Sequence, residues 1–179
     1  MVTYVANPRA LVLDGSLGYC IVAIVEEHDG AFTCVAEDYN YTEPLLRRIS
    51  SVVPGEVERA ALTEIVVGSG PGSYSGTRVA ASAAVGIAAA LGLPLRESPS
   101  DRALWQATER SLSIALGTRE SLEVSERDSI VVAREAASPQ LSSEESREIV
   151  ALALVREAGT AVTHVTLRYP APPRGSESQ

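Results

Sequence analysis

The chain has 179 residues, 45% of them hydrophobic, so it is long and apolar enough for one full core or two small lobes. Its formal net charge of −8 argues against binding of nucleic acid by this chain alone, because such binding requires a basic surface. No signal peptide or membrane span is predicted, and we therefore expect a cytoplasmic protein without membrane contact. The two cysteines, Cys20 and Cys34, are too few for a disulfide framework and are predicted to be buried, reduced thiols.

The first predicted strand ends in a carboxylate. Ala10–Asp14 is a short apolar run followed by Gly15-Ser16, a pattern typical of a central strand with a turn after it. Asp14, with Ser16 beside it, would either hold a magnesium-bound phosphate, as strand-end aspartates do in actin-like ATPases, or cap the turn. The turn is the preferred interpretation.

A hairpin and a helix are predicted next. The hairpin strands are Tyr19–Glu26 and Ala31–Asp38, and a turn centred between His28 and Asp29 would place Cys34 opposite Ala23. A capping residue and an early proline in Thr42-Glu43-Pro44 open the helix. Its apolar stripe consists of Leu45, Leu46, Ile49, Val52 and Val53.

A strand, a glycine-rich loop and a small-residue helix follow over residues 64–92. The helix carries no charge from Val79 to Leu93, and a helix without a polar face must be covered by a large core or by a partner protein. The loop fails the phosphate-loop pattern, which ends in lysine, because the chain contains no lysine. The preferred interpretation is a tight turn that lets the helix pack closely. Arg78 lies in the first turns of the helix, where a cation opposes the helix dipole, so we expect either a compensating carboxylate or a solvated side chain.

The second half has fewer and shorter elements. They are a helix from Ser98 to Ala107, strands over Ser111–Leu116, Ser121–Val124 and Ser129–Ala133, a helix from Ser142 to about Glu157, and a strand over Ala161–Tyr169. The order of elements in the first half fits a ribonuclease H-like α/β architecture. We expect an N-terminal lobe over 1–107, a reduced second lobe over 108–169 and a disordered tail over 170–179.

Candidate catalytic chemistry is sparse. His28 and His164 have no second ligand at metal-site spacing, so no metal site is predicted. A serine nucleophile at Ser73 or Ser75 has no nearby base, and Tyr74 stands at the centre of the segment where a hydrolase elbow would need serine.

Residues 70–78, GPGSYSGTR, resemble the GPGSFTGLR signature of the TsaB (YeaZ) family. The resemblance extends to Leu11–Ser16, which is similar to the family's opening LAIDTS, and to Ala88–Pro94, which is similar to its GLALGLGIP. Leu167–Pro173 is similar to the closing YLR-P segment. The match is close over about Leu11–Ala107. The matching positions of the signature loop are Gly70, Pro71, Gly72, Ser73, Tyr74 and Gly76.

The resemblance implies an actin-like (ASKHA) fold and a non-catalytic subunit without a cofactor. Such subunits bind the catalytic subunit TsaD, homodimerise through the same surface when alone, and work with the ATPase TsaE. The complex transfers a threonylcarbamoyl group to an adenosine of tRNA, which this chain would meet only through the complex. The implied partner surface lies on the first long helix and on the helix after the signature, and consists of Leu45, Leu46, Ile49, Val53, Arg78, Val79, Ala80, Ala83 and Ile87.

The chain also departs from the family. Tyr41 or Thr42 stands where the family often has histidine, and the DARR-x-E-x-Y segment is reduced to Gly117–Glu120 at best. Three alternatives are therefore kept: an actin-like ATPase or kinase that uses Asp14 and the Gly70 loop, a protease, and an independent homodimer with an unrelated client.

Overall fold

The computed structural model describes residues 7–17, 20–38, 43–116, 120–133 and 144–169. The helices are α1 (Leu45–Val52), α2 (Glu56–Ala61), α3 (Tyr74–Leu91), α4 (Ser100–Thr108) and α5 (Glu144–Glu157). The strands are β1 (Arg9–Asp14), β2 (Ile21–His28), β3 (Ala31–Glu37), β4 (Glu64–Gly68), β5 (Leu95–Ser98), β6 (Leu112–Ala115), β7 (Glu120–Val124), β8 (Ser129–Ala133) and β9 (Ala161–Val162). The predicted tail over 170–179 lies outside the described residues.

A six-stranded mixed sheet forms the centre of the fold, in the order β3-β2-β1-β4-β5-β9. β1 to β3 form an antiparallel meander, whereas β1, β4 and β5 run parallel, joined by connections that contain helices. This order places β1 beside β4, so Asp14 and the loop after Gly68 emerge at the same edge of the sheet.

Both faces of this sheet are covered, which explains why the interior residues of β1 and β4 are apolar. Leu11 and Leu13 of β1 face a cluster with α1 and α3, whereas Ala10 and Val12 face a cluster with α4, α5, β6 and β7. Alternate residues of one strand therefore supply both cores.

The later part of the chain returns to the first sheet. α5 packs against α4 and against the sheet, and β9 pairs with β5 through Leu95 and Val162. Leu112 and Leu122 of the separate sheet β6-β7-β8 lie in the same core cluster as Val12. The predicted lobe boundary at residue 107 stays a prediction, and the packing gives it no support because one core extends across it.

Some local predictions were wrong. The hairpin turn is Asp29-Gly30, with φ of 52° and 79°, and the left-handed angles of this pair favour a two-residue hairpin loop. The register therefore places Cys34 opposite Val25 instead of Ala23. Both cysteines are free and half-buried, and burial raises the pKa of Cys20 to about 11 and that of Cys34 to about 12, which keeps both thiols protonated at neutral pH.

Candidate functional site

The signature loop packs directly on the turn after β1. A Cβ atom added to Gly76 would overlap the carbonyl oxygen of Gly15, and one added to Gly15 would overlap the carbonyl oxygen of Gly76. A Cβ on Gly72 would likewise overlap the carbonyl oxygen of Ser16. Because these obstacles are backbone atoms that no side-chain rotation can move, the glycines are required for close backbone packing. The group that lies against the glycines of this loop is therefore the turn after β1, which belongs to the same chain.

The backbone amides of the loop donate hydrogen bonds within the chain. Ser69 N donates to Ser98 O at 2.8 Å, Gly70 N donates to the Ser100 hydroxyl at 3.0 Å, and Ser73 N donates to Ser16 O at 2.7 Å. The Ser73 side chain caps α3 by accepting from Gly76 N at 3.3 Å. Donors already occupied in this way are not available to cradle a phosphate, which favours the turn interpretation of the loop.

Asp14 is fully buried beneath this loop. Its Oδ1 accepts a hydrogen bond from Ser16 N at 2.6 Å, which is the aspartate turn predicted from the sequence. A Cβ on Gly68 would overlap Oδ2, so the neighbouring strand also needs a glycine for this carboxylate to fit. Burial raises the pKa of Asp14, and the hydrogen bond from the Ser16 amide with the adjacent Ser100 and Ser16 hydroxyls opposes the rise.

The raised pKa of Asp14 predicts a pH effect that can be measured. The folded state holds the Asp14 proton to higher pH than the unfolded state, so this group's contribution to stability falls as pH rises above the unfolded pKa of 3.8. Asp14→Asn, which keeps an acceptor for Ser16 N, removes the titration. We expect the free energy of unfolding of the variant, relative to wild type, to increase between pH 4 and pH 7 in urea denaturation. A difference that stays constant over this range would contradict the assignment.

The last described residues clamp the loop from its other side. Arg168 N donates to Ser69 O at 2.7 Å, and the Arg168 guanidinium pairs with the buried Asp101 carboxylate at 2.6 Å. The Tyr169 ring lies 5.0 Å from that of Tyr74, the first residue of α3. The sequence contained one signal for this clamp, because the segment from Leu167 is similar to the family's closing motif. It did not indicate which residues Arg168 and Tyr169 contact.

α1 and α3 lie side by side on one face of the sheet and leave apolar side chains in solvent. Leu46 is 66% exposed and Val79 is 54% exposed. Between the helices runs a groove of about 550 Å³, lined by Pro44, Leu45, Leu46, Arg78, Val79, Ser82 and Ala83. An exposed apolar groove rimmed by polar residues is typical of a protein-binding surface.

The structure divides the nine residues of the predicted partner surface into three groups. Ala80 is fully buried, and Ile49 and Val53 are 9% and 6% exposed, because they face the core beneath α1 and α3. These three lie beneath the exposed side of α1 and α3, and their place in a partner surface stays a prediction. Leu46, Arg78 and Val79 are exposed, whereas the remaining residues, Leu45, Ala83 and Ile87, lie partly buried between the core and the groove. Tyr41, Thr42 and most of Gly117–Glu120 lie outside the described residues.

Comparison with known proteins assigns the fold. The structure superimposes on YeaZ from Pseudomonas aeruginosa with a TM-score of 0.51 and 20% sequence identity, over 77% of this chain and 73% of that chain. A second Pseudomonas aeruginosa structure, titled an uncharacterized protein with similarity to peptidase YEAZ, gives a TM-score of 0.52 at 18% identity, over 75% and 71% of the two chains. The chain has the YeaZ fold. The predicted resemblance and the predicted actin-like architecture are therefore confirmed.

A family model described as TsaD, tRNA N6-adenosine threonylcarbamoyltransferase, matches residues 44–111. The matched segment contains α1, the signature loop and all of α3, and thus both helices that flank the exposed groove of this YeaZ-like fold. No curated protein sequence matches the chain.

The described residues offer little support for the ATPase alternative. A cleft of about 670 Å³ lies beside the start of α3, lined by residues that include Gly15, Arg48 and Ser75 but not Asp14. Arg48 is occupied by Asp38 at 2.8 Å and by the carbonyl oxygen of Cys20 at 2.8 Å. Asp14 is fully buried and does not line that cleft.

Within the described ranges, no three His, Cys, Asp or Glu side chains come together as a metal-binding group. None of the helices there has the length and apolarity that crossing a bilayer requires.

Proposed function

We propose that this chain is a non-catalytic subunit that binds a TsaD-like catalytic subunit through the exposed side of α1 and α3. The proposal rests on the exposed apolar side of α3, which the chain's own core does not cover. α3 also belongs to the segment that the TsaD family model matches. A soluble protein leaves such a surface uncovered where a partner binds.

In this proposal the threonylcarbamoyl group is transferred to tRNA adenosine by the partner, and the chain acts by holding the partner in its active arrangement. A net charge of −8 agrees with a subunit that meets tRNA only through the complex. A TsaE-like ATPase joins the larger cytoplasmic assembly, and the same helices form a homodimer when the partner is absent.

The proposal is tested by reconstituting transfer from threonylcarbamoyl adenylate to tRNA with purified proteins, TsaE included, and by measuring the modified adenosine by mass spectrometry. We expect no product from this chain without the catalytic subunit, and more product when the chain is added to the catalytic subunit and TsaE. A rate that the chain leaves unchanged at saturating concentration would contradict the proposal, and so would product formed by this chain alone.

A further inference from the structure

Arg78 is an exposed cation without an acidic partner among the residues that the structure describes. Its described contacts are with Tyr74, whose hydroxyl accepts a hydrogen bond from the guanidinium and whose ring lies 5.0 Å from it. Among the described residues, no carboxylate pairs with it. Because Arg78 lies in the first turns of α3, the helix dipole also disfavours it there. An acid supplied from outside the chain would resolve both problems.

Gly86 is a second residue that the chain's own packing does not explain. It lies in the interior of α3, where glycine is less stable than alanine, and a Cβ atom added to it would meet nothing within 4 Å. Arg78, Ser82 and Gly86 follow at intervals of four residues and are all exposed, so they form one stripe. The stripe is about 12 Å long at about 1.5 Å per residue and adjoins the groove between α1 and α3.

The charges of α1 and α3 indicate which kind of partner would bind to this stripe. Neither α1 nor α3 contains an aspartate or glutamate, whereas they carry Arg47, Arg48 and Arg78. Arg47 pairs with Glu43, just before α1, and Arg48 pairs with Asp38. In a chain with a net charge of −8, Arg78 is therefore the arginine of these two helices that no described carboxylate neutralises. A second copy docked through α3 would bring a second arginine instead of an acid, so a homodimer through these helices should be weaker than the complex with the catalytic partner, because like charges brought together at an interface are destabilising.

We propose that the catalytic partner docks a helix along this stripe, with one of its carboxylates opposite Arg78 and its backbone close to Gly86. This inference rests on the proposed function, since it assigns the specificity of the same surface. Glycine lets two helix backbones approach closely, and the carboxylate fixes which partner is accepted and in which register.

The charge is tested by Arg78→Glu in the full chain, with the dissociation constant for the purified catalytic subunit measured by titration calorimetry. We expect binding to weaken at least about tenfold, because the variant opposes two carboxylates at the interface. Arg59→Glu, on the exposed side of α2, makes the same change in net charge and should leave binding unchanged. Reversing the facing carboxylate of the partner to arginine should restore binding to Arg78→Glu.

The close approach is tested by Gly86→Ala. This variant should raise the melting temperature of the isolated chain by about 1–4 °C, since alanine favours the helix, and should weaken binding of the catalytic subunit several-fold. Val57→Ala is the control, because it favours helix α2 without adding volume, away from the groove, and should leave binding unchanged.

The outcomes separate this inference from the proposed function. Wild-type binding that neither Arg78→Glu nor Gly86→Ala weakens would overturn the inference and leave the proposed function standing. A wild-type chain that does not bind the catalytic subunit at all would overturn both. A wild-type homodimer that Arg78→Glu weakens, measured by sedimentation, would show that the acid comes from a second copy and would overturn the choice of partner.

Discussion

Gly76→Ala should cost the protein several kcal/mol of stability, a large part of the roughly 5–15 kcal/mol typical of a folded domain. The added Cβ would overlap the carbonyl oxygen of Gly15, a backbone atom at the end of a strand whose residues are buried. Helix propensity alone predicts that Gly76→Ala stabilises the protein, because Gly76 is in the first turn of α3 and alanine is the better helix former. The measurement is urea denaturation of the purified variant followed by circular dichroism.

Gly86→Ala is the matched control for this experiment. It places the same methyl group in the same helix at a position where nothing lies within 4 Å, so it should stabilise the chain by about 0.5–1 kcal/mol. Equal stabilities for the two variants would mean that the loop and the turn after β1 do not pack as the structure shows.

Val79→Arg should abolish binding of the catalytic subunit while leaving the chain folded. Val79 is 54% exposed at the groove between α1 and α3, so the isolated chain can hold an arginine there in water. In the complex, the same charge would be buried without a partner, and a buried unpaired charge costs about 3–5 kcal/mol, equivalent to a loss of affinity of about two to four orders of magnitude. The measurement is the dissociation constant, together with the melting temperature of the isolated variant.

Val57→Arg provides the comparison for Val79→Arg. Val57 is 78% exposed on α2 and does not line the groove, so the same substitution should change neither binding nor folding. Equal losses of affinity in the two variants would indicate a general effect of added charge and would exclude the α1 and α3 side as the binding surface.

The central elements were predictable because their patterns are local. The strand and the small-residue helix predicted within residues 64–92 are β4 and α3, and Asp14 forms the turn that its glycine and serine neighbours predict. α2 and β5 were missed because they carry almost no hydrophobic signal: α2 buries none of its six residues, and β5 has four residues with Leu95 as its only large apolar side chain.

The placement of residues within the predicted partner surface was not predictable from the sequence. α3 has small apolar residues on every side, so periodicity does not reveal that Ala80 faces the sheet while Val79 faces solvent. The sheet that decides this is assembled from strands distant in sequence. The same limit applies to the clamp, because the pairing of Arg168 with Asp101 joins residues 67 positions apart.

Binding through α1 and α3 can be measured by size-exclusion chromatography with light scattering of this chain mixed with the TsaD-type catalytic subunit of the same organism. We expect a stoichiometric complex with wild type and with Val57→Arg, and separate proteins with Val79→Arg. Separate proteins with the wild-type chain would refute the proposed function, and a complex that Val79→Arg leaves intact would refute the proposed binding surface.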